Sequence, residues 1–241
     1  MHTSLGKIWR SSGRAFLLNK PNVKGVHKMK ICIALLALAI LATSHVAFAD
    51  LSLIKDKNFR TCVEKSLKKQ KTKDVSELQK LKCHNDDIKT VEGVGALVGL
   101  KSLSLFGNDI TEADLSMLSG LEHLNLAKNK LVTLNIQGLS SLETLFLFKN
   151  SLTKLNLEGL SSLKKMRMMQ NTLTELDISP LVSLEQAYLW DNQLEDLQIT
   201  GLDKLSFLDV KQNPMPDELY DFYDKQVGIT ISHDGNADDW N

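Results

Sequence analysis

The sequence predicts a repeat solenoid: a curved stack of short coils with a parallel β-sheet on the concave face, extended or irregular chain on the convex side, and a cap at each end. Two columns in phase carry that expectation. Asn108, Asn129, Asn150, Asn171, Asn192 and Asn213 recur every 21 residues, and Leu100, Leu121, Leu142, Leu163, Leu184 and Leu205 keep the same step. Each unit holds too few apolar positions to enclose a core alone. Neighbouring coils must therefore stack, burying each leucine for roughly 1.5–3 kcal/mol.

One unit, residues 121–141, reads LEHLNLAKNKLVTLNIQGLSS, which is L-x-x-L-x-L-x-x-N-x-L followed by a second apolar pair. Its successors LETLFLFKNSLTKLNLEGLSS, LKKMRMMQNTLTELDISPLVS and LEQAYLWDNQLEDLQITGLDK keep the frame without an insertion. Residues 78–213 resemble the leucine-rich repeat family on this signature, in about seven units. The first unit, LQKLKCHNDDIKTVEGVGALVG, is degenerate, with Cys83 in a leucine position and Asp86 in that of the asparagine. The second pairs, Leu134/Ile136, Leu155/Leu157, Leu176/Ile178 and Leu197/Ile199, resemble the short, 21-residue bacterial class of the family and imply extended chain on the convex side as well.

The segments outside the repeats follow in chain order. Residues 1–28 are basic and contain no acid, and residues 29–49, MKICIALLALAILATSHVAFA, combine a basic start, an apolar stretch and an A-x-A end. That is a cleavable secretion signal, with cleavage expected after Ala49; a lone membrane anchor is the alternative. Met29 is then a candidate start, leaving residues 1–28 as an upstream extension. Without residues 1–49 the chain carries 22 Lys and Arg against 29 Asp and Glu, a net charge of −7. Such acidity argues against nucleic acid or an anionic membrane as partner, since both select basic patches.

Residues 50–77 read as an N-terminal cap with a short amphipathic helix around Phe59, Val63 and Leu67. The exported part keeps two cysteines, Cys62 and Cys83, which are expected to pair and tie that cap to the first repeat. Closing a loop of about 20 residues stabilises by roughly 3 kcal/mol on the chain-entropy account. Residues 214–241 read as a C-terminal cap and tail: a proline stop, a helix over 216–226 turning Leu219, Phe222 and Tyr223 inward, and VGITIS as a final edge strand. A free periplasmic or secreted bacterial protein is expected, because no lipoprotein cysteine, sorting motif or C-terminal apolar tail is present.

Catalytic and metal chemistry is thin. Gly93, Gly95 and Gly99 lack the strand-loop-helix setting of a dinucleotide loop. His84, His123 and His233 fall in different parts of the array, without a nucleophile motif or zinc spacing. Asp234, Asn236 and Asp238 alternate as in calcium loops, but no glutamate follows at the twelfth position, so the segment reads as a solvated tail. No enzyme activity, cofactor or metal is expected.

Strand alternation isolates the candidate site. The fourth and sixth positions of each unit are apolar (Leu145 and Leu147 in LFLFKN), so the third, fifth and seventh face the other way. Six aromatics of residues 100–213, Phe106, Phe146, Phe148, Tyr188, Trp190 and Phe207, all fall in those columns. Phe146, Phe148, Met169, Tyr188 and Trp190 are expected to cluster around Arg167, with the composition of a binding hot spot. Sheet stabilisation by aromatic ladders and self-association are the other uses of such a stripe. The asparagines read as a structural ladder for unpaired backbone groups. The expected function is binding of a protein or peptide on the concave face, the role the family resemblance implies, with a self-associating envelope or adhesion component as alternative.

Overall fold

The computed structural model describes residues 51–235. The expected signal segment, the expected upstream extension and the last six residues, including Asn236 and Asp238, lie outside the described residues. The chain enters through helix α1, Lys57–Gln70. Asp56 starts it by accepting the N–H groups of Asn58 and Phe59 at 2.8 and 2.9 Å, and Lys71 ends it in the left-handed conformation, φ 57°. Phe59, Cys62, Val63 and Leu67 form its buried stripe, at the i, i+3, i+4, i+8 spacing of a helix with one apolar face.

The coils that follow each contribute one three-residue strand to a parallel sheet. These are β1 (Lys80–Lys82), β2 (Ser102–Ser104), β4 (His123–Asn125), β6 (Thr144–Phe146), β7 (Lys165–Arg167), β8 (Gln186–Tyr188), β9 (Phe207–Asp209) and β10 (Thr230–Ser232). They lie in that order among the described residues, each residue paired with its counterpart one coil on, as in Leu124 to Leu145 to Met166 to Ala187. The last of them, β10, comes from the VGITIS segment and closes the C-terminal edge. On the other side, β3 (Glu112–Asp114) and β5 (Thr133–Asn135) form a two-stranded parallel sheet, and the later units run without strands there.

Between the two sides the leucines of the fourth, sixth and later apolar positions form one continuous core from Ile54 to Tyr223. Leu100, Leu121, Leu142, Leu163 and Leu184 are completely buried. The core ends at helix α2, Asp217–Asp224. Its buried residues are Leu219, Tyr220 and Tyr223, whereas Phe222 is only half-buried. Phe222 still packs against the core, and Tyr220 is the inward residue that the expected set lacks. The two tyrosines turn in because the buried ends of the coils leave carbonyls to satisfy: Tyr220 donates to the Asn213 carbonyl at 3.1 Å and Tyr223 to that of Leu197 at 2.8 Å.

The N-terminal end is closed by a covalent bond as well as by packing. Cys62 of α1 and Cys83 are joined in a disulfide with their Cα atoms 5.9 Å apart. Gly93, with φ +90°, sits at a close approach of the cap; a Cβ there would run into the Leu53 carbonyl.

Candidate functional site

The turns out of six of the eight sheet strands are built on an asparagine, five of them in the same way. In the fifth rung Asn192 accepts the Leu173 N–H at 3.2 Å through Oδ1 and donates through Nδ2 to the carbonyls of Met168, 3.1 Å, and Leu189, 2.8 Å. Asn129, Asn150, Asn171 and Asn213 repeat that set, and in Asn129, Asn171 and Asn213 the amide makes a second, longer bond within its own coil. Asn108 reaches Cys83 and Leu105 with its amide and takes two N–H groups, of Asp86 and Ile88, because the first unit is one residue longer. Each shared carbonyl joins two rungs: Leu147 accepts from both Asn150 and Asn171, and Met168 from both Asn171 and Asn192. Five of the six asparagines are buried, and Asn150 is half-buried.

The residue before each of the last five rungs takes the left-handed conformation. Lys128, Lys149, Gln170, Asp191 and Gln212 have φ between 54 and 59°, and Gly107 takes the equivalent place at 72°. The step turns the chain so that the asparagine points into the coil while the preceding residue stays outside.

The outward face of the sheet holds the residues singled out from the sequence, in two groups. In the first, Arg167 of β7 lies between two rings, 5.3 Å from the centroid of Phe146 on β6 and 5.0 Å from that of Tyr188 on β8. Tyr188 packs in turn on Phe207 at 4.9 Å, and Lys165 lies 5.6 Å over the same tyrosine. Parallel pairing puts these side chains on neighbouring strands in register, so Phe146, Arg167 and Tyr188 stack as a cation between two π faces. The Nε of Arg167 and the Oε1 of Gln186, on adjacent strands, are buried and have no hydrogen-bond partner among the described residues.

The second group corrects the expected single cluster. Phe148 packs against Phe106 with ring centroids 6.3 Å apart, Phe106 against His84 at 5.7 Å, and Lys128 lies 5.1 Å over Phe106. Phe106, Ala127 and Phe148 occupy the same position of three successive coils, beyond the strand ends, and Ala127 is completely buried. A methyl group there lets the flanking rings meet across it, so Ala127 is a floor and not part of the exposed column. Met169 and Trp190 are half-buried at the same position further along, and Trp190 makes no ring contact among the described residues. All eight site residues are half-buried, each ring covered by its neighbours to a degree that alternation alone does not reveal.

Elsewhere the chemistry is structural. His84 bonds Ser104 at 2.6 Å, His123 bonds Thr144 at 3.0 Å, and His233 bonds Asp224 at 3.1 Å, three separate places. Burial lowers the His84 pKa and the neighbouring Lys82 lowers it further, against a smaller opposing effect of Asp86. Cys62, Cys83 and Asp86 come within 4.8 Å of one another, but both sulfurs are spent in the disulfide. Among the described residues no helix is long and apolar enough to cross a membrane.

No family model and no curated protein matches the chain. Its fold does have solved counterparts. The chain is similar to internalin C2 from Listeria monocytogenes strain 4b F2365, with 22% identity over 76% of this chain and 95% of that one, at a TM-score of 0.50. This chain has the leucine-rich-repeat fold. The leucine-rich-repeat array is also similar to the functional domain of InlJ from Listeria monocytogenes, with 23% identity, 70% of this chain covered and a TM-score of 0.42. For the internalin InlF of strain 4b F2365 the figures are 17% identity, 80% of this chain, 81% of that chain and a TM-score of 0.40. The chain spans about half of the InlJ domain, 52% of it.

Proposed function

We propose that this leucine-rich-repeat protein is an exported, non-catalytic binding protein that docks a protein or peptide partner on the outward face of its main sheet. The observation that carries this reading is the Arg167 stack. A cation held between Phe146 and Tyr188, with Phe207, Trp190, Met169, Phe148 and Phe106 along the same face, has the residue types that dominate protein interfaces. The Nε of Arg167 in the stack and the Oε1 of Gln186 beside it have no partner among the described residues, so a docked chain finds one donor and one acceptor there. Export is supported by the disulfide, which persists in oxidising compartments. The likeness to internalin C2 supports an interaction or adhesion role at the level of fold only.

The test is Phe148→Ala with Trp190→Ala, used in affinity capture from extracts and in unfolding experiments. The binding reading expects an unfolding midpoint close to wild type and loss of the captured partner, each ring contributing on the order of 2 kcal/mol. Retained capture at full affinity refutes it. Sedimentation over a range of concentrations separates the second reading, self-association through the same rings, which the double variant would abolish.

A further inference from the structure

Helix α1 and the first two sheet strands enclose a cleft of about 730 Å³ that the aromatic stack does not use. Lys65 and Lys69 line it from the helix, and Lys80, Lys82, Ser102 and Ser104 from the strands. Asp86 is the single acid among its lining residues. Three lysines elsewhere are held in ion pairs: Lys101 with Glu122 at 3.0 Å, Lys130 with Asp109 at 2.6 Å, and Lys164 with Glu143 at 2.9 Å. None of the four cleft lysines is in an ion pair among the described residues. Four like charges around one cleft repel one another, by more than the one lining acid, Asp86, offsets.

The net charge of the chain hides this place. Residues 51–82 hold ten Lys and Arg against four Asp and Glu, whereas residues 174–241 hold three against fifteen. The basic end therefore carries a local positive field, opposite in sign to the acidic C-terminal region, and the lowered His84 pKa, due first to burial and then to Lys82, agrees with that field.

The spacing of the charges says what they fit. Lys65 and Lys69 are one helical turn apart, about 6 Å along the wall. Lys80 and Lys82 share one side of β1, about 6.6 Å apart, because alternate residues of a strand point the same way. An extended peptide repeats its side chains on each face at that same step of about 6.6 Å. Alternate carboxylates of an acidic run meet the helix wall, and those between them meet the strand wall. A compact anion such as phosphate has no such repeat to offer.

We propose that this cleft binds an acidic peptide segment in extended form. It is a site separate from the aromatic stack and stands or falls independently of it. The Asn58–Gln70 lining of the helix wall is about 18 Å long, the reach of five or six extended residues. Ser102 adds a hydroxyl donor at the floor, beside the Ser104 hydroxyl that is bonded to His84.

Fluorescein-labelled hexaglutamate is the probe, titrated with the purified full chain at low ionic strength and followed by anisotropy. The expected result is saturable one-to-one binding, weakened at least tenfold by Lys65→Glu with Lys82→Glu and unchanged by Phe148→Ala with Trp190→Ala. Both lysines are exposed, so the unfolding midpoint of the charge-reversed variant should stay near wild type. Absence of saturable binding, or equal affinity in the charge-reversed variant, overturns the proposal. So does displacement by tripolyphosphate or hexathymidylate as effective as displacement by unlabelled hexaglutamate, which would make the cleft a general anion site.

Discussion

Replacing Asn192 by leucine tests the ladder where it is most deeply buried, at 1% exposure. The side chain keeps its approximate volume, so the loss is one of hydrogen bonds and not of packing. Three bonds disappear, but they are unequal. The Leu173 N–H loses the partner that Asn192 provides, at about 1–3 kcal/mol for an orphaned buried donor. The carbonyls of Met168 and Leu189 each keep a second donor, Asn171 and Asn213 respectively, so each loses only one ordinary bond, about 0.5–1.5 kcal/mol. Together the expected destabilisation is about 2–6 kcal/mol, read as a fall in the urea midpoint with an unchanged slope. Asn150→Leu removes the same three kinds of bond at a half-buried rung, where water can take up part of the loss, and should cost less. A loss below about 1 kcal/mol for Asn192→Leu, or a larger loss at Asn150, would refute the account in which the ladder satisfies buried backbone groups.

Three further outcomes are expected. Cys62→Ser with Cys83→Ser should lower stability by about 3 kcal/mol, and amide exchange should speed up first in α1. Burial pushes the Asp56 carboxyl up, but the N–H groups of Lys89, Phe59, Asn58 and Thr90 outweigh it and hold the folded pKa below the ordinary carboxylate value. Its stabilisation is therefore present above about pH 3.9 and is lost as pH falls through the lowered folded value; Asp56→Asn should flatten that part of an acid-unfolding curve. Lys149→Val should cost about 1–2 kcal/mol in urea unfolding, because a β-branched side chain is strained at φ 58°; an unchanged midpoint would contradict the left-handed step.

The fold was legible because its period is strict. A constant step of 21 residues phases every leucine and asparagine at once, and the same phase decides which of Leu145 and Phe146 faces the core. The cysteine pairing was legible from the count alone, whereas the inward face of α2 was not. Phe222 is more apolar than Tyr220, but only a tyrosine can satisfy the Asn213 carbonyl at that end. The left-handed step escaped notice because glycine marks it once, at Gly107, and lysine, glutamine or aspartate fills the other five places. Within the site, the columns located the aromatic residues but not their partners, since rings in position seven lie past the strand ends and reach across Ala127. The lysine cleft was invisible because its walls come from a helix and from strands one coil apart, and because the acidic C-terminal region dominates the charge count.

The shared carbonyls of the ladder make the length of the molecule adjustable in whole steps. Removing residues 142–162 would bring Asn171 21 places after Asn129, where its amide meets the Leu126 carbonyl in place of that of Leu147. Every acceptor finds an equivalent donor, and both caps keep their own contacts unchanged. A duplicated coil adds about 4.8 Å and a rung in the same way. Gene duplication and loss can thus tune how far the outward sheet face extends without redesigning either end, while a single substituted rung leaves a backbone N–H that no neighbour satisfies.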